Sequence, residues 1–261
     1  MVAPWIISHF PEHETYTEPF CGAASVLLRK PLVNFEVIND LFDEIPNLFR
    51  VLRDPNQSEA LVGLLMLTPF ARKEFEDAYE HTDDPIEKAR RLIIRSLFGH
   101  GSSGIYKASS GFRSRFFKTN THPSRDFKNY PDHLIKTIER LRRVVIENKP
   151  AIEILEYYDS ETTLHYLDPP YPHETRNAKH KYAFEMSEED HIELAETIKK
   201  LKGMVVLSSY ENDLYDEIFK GWAKDTYQTR ADGNQPRTEV IWMNERAYTG
   251  QPQLDLERAI Q

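Results

Sequence analysis

Residues 204–210, Met-Val-Val-Leu-Ser-Ser-Tyr, begin as an apolar run with no alternation. A strand with one wet face alternates apolar and polar side chains, so an unbroken run of this kind predicts a strand covered on both sides, as in a parallel sheet flanked by helices. Leu-His-Tyr-Leu at 164–167 reads as a second such strand, and shorter strands are predicted at 15–20 (TYTEPF), 35–38 (FEVI) and about 144–146.

Helical signals lie between them. An amphipathic stretch opens the chain, and ASVLLRK at 24–30 is helix-like after a Gly/Ala turn. From Asn39-Asp40 to about 98 the period is helical, with Leu61, Leu64, Leu65 and Thr68, then Phe75, Ala78 and Tyr79, expected as ordinary helical core. Ser187 followed by acids at 188–190 predicts a capped helix carrying Leu194, Ile198 and Leu201 on one face and stopping at Gly203. Two β-like runs, 222–229 and 238–244, flank the turn-rich ADGNQPR and predict a hairpin, which makes one strand of the sheet antiparallel. The expected fold is α/β: a doubly wound, mostly parallel sheet with one antiparallel strand, built from 1–45 and 144–261, plus a helical insertion at 46–143.

The insertion carries the charge signal. The chain has a formal charge of −9, yet residues 100–143 hold ten Lys and Arg against three acids, a local charge of +7. Such asymmetry suggests a polyanion held by one face of an acidic body. Residues 99–125 break the helical period with four glycines, and five serines before Arg115, among basic and aromatic residues, which predicts a long loop. Cys21 is the sole cysteine, so an intrachain disulfide or thiolate metal cluster is excluded, and a cytoplasmic setting with no membrane partner is expected. His9 and His13 share helical spacing but lack HExxH or a third ligand, and no metal is expected.

The sharpest chemical feature follows the 164–167 strand: Asp168-Pro169-Pro170-Tyr171. Beyond the carboxyl end of a central parallel strand is where open α/β sheets bind ligands. Consecutive prolines fix φ and hold each preceding residue extended, giving a stiff row of acceptors without amide donors. A planar exocyclic amine needs such a row, because its lone pair is delocalised until acceptors draw on its N–H bonds. Asp168 and the Pro169 carbonyl are candidates for that role, with Tyr171 offering a π-face to the base. An amine paired in a duplex must first be flipped out.

Together with TEPFCGAASVLL, VINDL, VVLSSY and RTEVIWMN, this motif gives a chain that resembles, over nearly its whole length, the Dam-like alpha group of adenine-N6 DNA methyltransferases. The resemblance implies the S-adenosylmethionine-dependent methyltransferase fold, S-adenosylmethionine as cofactor and double-stranded DNA as substrate. It implies a cofactor loop at Glu18, Pro19, Phe20 and Gly22, a ribose-binding acid at Asp40, and a catalytic motif at Asp168, Pro169, Pro170 and Tyr171. Lys107, Arg113, Arg115, Lys118 and Arg125 fall in the region of target recognition, where Lys and Arg would contact phosphates. A companion restriction endonuclease is one partner it allows, and a solitary role is the other.

Three departures from the family pattern stand in the sequence. The chain opens at Met1-Val2-Ala3-Pro4 where the family has a Gly-Gly-Lys segment. Cys21 and Ala23 occupy positions often held by glycine, and Pro150 stands where many members carry an acid. Two rival readings follow: a methyltransferase-like DNA-binding protein that does not hold the cofactor, and an N-methyltransferase acting on RNA or a protein amide. Aspartate at the first position of the motif, with the basic insertion, favours DNA adenine.

Overall fold

The computed structural model describes residues 2–100, 105, 111–113, 123–172, 184–230 and 236–250. In chain order the elements are α1 (Ala3–Ile7), β1 (Thr15–Glu18), β2 (Phe35–Asn39), α2 (Glu44–Arg53), α3 (Pro55–Leu67), α4 (Arg72–Asp77), α5 (Pro85–Phe98) and α6 (Pro123–Leu141). There follow β3 (Val144–Glu147), α7 (Ala151–Tyr157), β4 (Thr163–Leu167), α8 (Glu188–Ile198), β5 (Met204–Tyr210), α9 (Asp213–Ile218), β6 (Ala223–Arg230), β7 (Pro236–Met243) and α10 (Glu245–Thr249). The seven strands lie in the order β3-β2-β1-β4-β5-β7-β6. β1 pairs in parallel with β2 and β4, and β4 with β5, while β7 runs antiparallel to both β5 and β6. The expected fold class is therefore the observed one.

The chain divides into two compact units, one of Met1–Asn39, Lys149–Asn177 and Met186–Gln261, the other of Asp40–Asn148 and Ala178–Glu185. In the first, β4 is buried at every position and β5 at all but Tyr210, as the unbroken apolar run requires. Leu155, Leu194, Ile198, Val205, Leu207, Tyr215 and Trp242 pack in one core cluster. Ser187 caps α8 through a complete capping box, its hydroxyl accepting from the Asp190 amide at 3.2 Å while Asp190 accepts from the Ser187 amide at 2.7 Å. His165, the one ring nitrogen base inside β4, is satisfied by Thr17 Oγ1 at 2.7 Å and by Asp159 at 3.4 Å, and burial pushes its pKa down to about 4.

Gly203 sets the approach of β5 to β4. A Cβ there would meet the Thr163 carbonyl at 2.6 Å and the Ser160 carbonyl at 3.0 Å, both backbone atoms that move only with the chain. Gly203→Ala is expected to cost about 1–3 kcal/mol in urea unfolding, the range for overpacking. A loss too small to measure would mean that this edge of the sheet yields freely.

In the second unit, Asp54 and Asp84 cap α3 and α5 by accepting from the amides two and three residues on, each followed by a proline at the first helical turn. Phe98 packs on Phe70 (ring centroids 4.3 Å) and Phe127 (4.8 Å). Arg90 bridges Glu74 and Glu87.

Three local expectations change. Residues 22–29 form successive turns in place of a regular helix, because Gly22 and Ala24 both take positive φ (46° and 50°). Leu64 is 42% exposed although it shares its helix with buried Leu61 and Leu65, since α3 is apolar around most of its circumference and only one face finds partners. The loop predicted over 99–125 ends earlier, since α6 already begins at Pro123; Phe127, Pro131, Leu134 and Leu141 form its buried face, a pattern that internal Pro131 conceals. Among the described residues no helix is long and apolar enough to cross a membrane.

Candidate active site

The strand order reverses between β1 and β4: β1 leads outward to β2 and β3, and β4 leads the other way. Such a switch point leaves a crevice at the carboxyl ends of the two strands. Glu18 is the last residue of β1 and Asp168 the first after β4, so the sheet brings two acids 150 positions apart in sequence to one neighbourhood.

Asp168 faces a cavity of about 210 Å³ whose lining includes Ile6, Val26, Arg29, Tyr166, Tyr171 and Glu239. Its surface is exposed, but to this recess, within a wall of protein atoms, and both facts bear on its acidity. Crowding pushes the carboxyl up to about 6, against the opposing effect of the nearby Tyr171 and Ser208 hydroxyls. Ser208 Oγ donates to Asp168 Oδ1 at 3.3 Å and is itself in contact with Tyr166 Oη at 2.9 Å. No ion pair reaches Asp168 among the described residues. Pro169 is buried and Pro170 half-buried. Tyr171 donates its hydroxyl to Glu239 Oε1 at 2.7 Å and sets its ring edge-on to Tyr210 (centroids 4.7 Å, 72°).

Glu18 is buried, and Oε2 accepts from Tyr16 Oη at 2.9 Å and from the Leu27 amide at 3.1 Å. Burial pushes it up to about 8, and the negative charge of Asp168 adds to the effect. The following loop is tied to β2: Asn39 Nδ2 donates to the Pro19 carbonyl at 2.9 Å, and the Cys21 amide donates to the Asn39 carbonyl at 2.9 Å. Asn39 also joins this loop to the segment after β3, accepting from the Lys149 amide at 2.8 Å. Phe20 packs against the core cluster, while the space beside the Gly22 Cα is open to 4 Å. Asp40 follows β2 directly and accepts from the Phe42 amide at 2.9 Å, turning its own backbone.

Of the basic residues singled out in the sequence, Arg125 is exposed on α6. Arg113 is half-buried, its backbone amide donating to the Phe98 carbonyl at 2.8 Å and its guanidinium to the Leu97 carbonyl at 3.3 Å. Lys107, Arg115 and Lys118 lie outside the described residues. The sequence motifs do not single out Glu239 or Asn39, and Ser208, which follows a strand without a Gly-x-Ser-x-Gly elbow, gives no sign of its bond to Asp168. For Glu239 a signal was present: an acid inside the apolar strand TEVIWM has no ordinary structural purpose.

A seven-stranded α/β sheet closed by an antiparallel hairpin, with an Asp-Pro-Pro-Tyr corner at its switch point, has the build of an S-adenosylmethionine-dependent methyltransferase. The sequence matches the family model of D12 class N6 adenine-specific DNA methyltransferases over residues 1–231, and the chain belongs to that family. It is accordingly an enzyme whose methyl donor is S-adenosylmethionine and whose substrate is adenine in DNA. Similar solved structures include SMU.1697c of Streptococcus mutans in complex with SAH (8% identity over 93% of this chain and 96% of that one, TM-score 0.39). An rRNA methylase of Streptococcus thermophilus is another (10% identity, 94% of each chain, TM-score 0.37). A comparison with curated proteins gives no match.

The donor set fits a cationic cofactor. Glu18, Asp168 and Glu239 are carboxylates with no ion-pair partner among the described residues, and each is pushed up in pKa by burial and by a neighbouring acid or hydrogen-bonded by a tyrosine. A sulfonium with an ammonium group would bring further positive charge to these acids.

Proposed function

We propose that the enzyme methylates the N6 amine of an adenine flipped out of duplex DNA, with Asp168 and the Pro169 carbonyl as the acceptors of its two N–H groups. The observation that carries this reading is an unpaired Asp168 carboxylate facing a cavity at the switch point of the sheet. Bound S-adenosylmethionine supplies an electrophilic methyl group on sulfur. Glu18, Pro19, Phe20 and Gly22 would hold its methionine part and Asp40 its ribose; the open space at Gly22 lets backbone approach the ligand. Asp168 would receive one amine proton as the amine nitrogen takes that methyl group, and the electron pair of the broken S–C bond would stay on the sulfur of the departing thioether. Acceptors placed before the reaction favour the charge that develops on nitrogen. Tyr171 and Pro170 border the place of the base. Arg113 and Arg125, with Lys107, Arg115 and Lys118, would contact phosphates. A methyl mark at a fixed site is the chemistry that protects it from a companion restriction endonuclease, the protein partner proposed, and the cytoplasm is the proposed compartment.

The test offers methyl-labelled S-adenosylmethionine with duplex DNA, RNA and protein. Label is expected at N6 of adenine in DNA, with kcat/KM falling as the pH drops through about 6, because protonated Asp168 no longer accepts from the amine. Label in RNA or protein alone would move the substrate class. No label anywhere, with no heat of cofactor binding in calorimetry, would leave a DNA-binding protein that lacks the cofactor.

A further inference from the structure

We propose that Glu239 is a positioning residue of the methyl-transfer site: it takes the one proton of the Tyr171 hydroxyl and so leaves Asp168 free for the substrate amine. The inference rests on the function proposed above. Glu239 lies on β7 opposite Tyr210 of β5, and it is 5% exposed in a strand otherwise apolar toward its carboxyl end. A carboxylate in such a place, with no ion pair among the described residues, is costly to keep there. Its one described side-chain partner is Tyr171 Oη at 2.7 Å.

The arithmetic of donors gives the reason. A phenol has a single proton, and two carboxylates, Glu239 and Asp168, line the same cavity as this tyrosine. Asp168 already accepts from Ser208 on Oδ1. A tyrosine proton turned to Asp168 would draw further on its electron density and weaken its pull on the amine. Glu239 draws that proton away. The edge-on contact with Tyr210, whose ring also lies 5.9 Å from the Arg237 guanidinium, holds the tyrosine ring while Glu239 holds its tip.

Glu239→Ala is expected to lower kcat about thirtyfold, equal to about 2 kcal/mol, with KM for cofactor and DNA changed less than about threefold. Tyr171→Phe is expected to lower kcat a few-fold. The decisive variant is Glu239→Ala with Tyr171→Phe: without the hydroxyl there is nothing to divert, so its kcat should rise to the level of Tyr171→Phe alone. Glu239→Gln keeps a carbonyl acceptor and should retain most turnover. A double variant no faster than Glu239→Ala, or a Glu239→Ala enzyme within twofold of wild type, would overturn the inference. Where Ala lowers the melting temperature too far to assay, Glu239→Leu fills the strand without accepting and faces the same two outcomes. Wild-type turnover on DNA, measured alongside, separates the cases: its absence overturns the proposed function, while its presence without a Glu239 effect overturns this inference alone.

Discussion

Replacing Asp168 by Ala is expected to lower methyl transfer at least a hundredfold and to leave the fold intact. Removing a preorganised electrostatic partner of a transition state costs about 100- to 1,000-fold in kcat. The stability half of the expectation follows from acidity. The folded pKa of Asp168, about 6, lies above the usual value near 3.8. A group raised in this way favours the folded state below its unfolded pKa and loses that contribution as pH rises through about 6. At pH 8 the ionised carboxylate is therefore a burden, shared with Glu18 and Glu239, each of which feels its charge. The variant should melt at or above the wild-type temperature at pH 8, and the advantage should vanish near pH 4. Calorimetric scans at the two pH values, with a radiolabel assay, check both halves. A clear fall in melting temperature would assign Asp168 to structure.

Glu36→Ala should destabilise the fold by about 3–5 kcal/mol, more than Gly203→Ala does, because it breaks a buried ion pair. Lys30 Nζ and Glu36 Oε1 lie 2.7 Å apart with both side chains 1% exposed. The ammonium also donates to the Pro31 carbonyl at 2.8 Å and lies 4.5 Å from the centroid of the Tyr16 ring, whose hydroxyl bonds Glu18. Losing the carboxylate leaves a buried ammonium without its counter-charge, the case in which broken ion pairs cost most. For a chain of this size that corresponds to a fall of roughly 10 °C in melting temperature. The paired replacement Lys30→Met with Glu36→Leu removes both charges and should recover most of the loss. Urea unfolding of the two variants makes the comparison; a cost below about 1 kcal/mol for Glu36→Ala would mean that water reaches the ammonium.

Much of this architecture is readable in local patterns. The unbroken apolar runs of β4 and β5 have no other comfortable setting than a covered parallel sheet, and Ser187 with Asp190 marks the start of α8 because the cap is made within four residues. Patterns misled where a distant partner or an unusual φ outweighs periodicity. ASVLLRK reads as a helix until Gly22 and Ala24 take positive φ, and Leu64 reads as core although the face it occupies stays in water. The start of α6 was hidden by Pro131, since a proline inside a helix looks like a proline beginning one.

The chemistry divides the same way. Asp168, two prolines and Tyr171 are adjacent in the chain, and the stiffness of that corner is a property of proline wherever it occurs. What surrounds the corner is not adjacent: Glu18 comes from β1, Ser208 from β5 and Glu239 from β7. Hydrogen bonds and charge interactions act through space over a few ångströms, and the order of strands in the sheet alone decides which residues are that near. The amino-acid sequence by itself determined a parallel sheet with a rigid acceptor corner after a central strand. Only the tertiary structure decided that Asp168, Tyr171 and Glu239 line one recess and that the Tyr171 hydroxyl bonds Glu239 there.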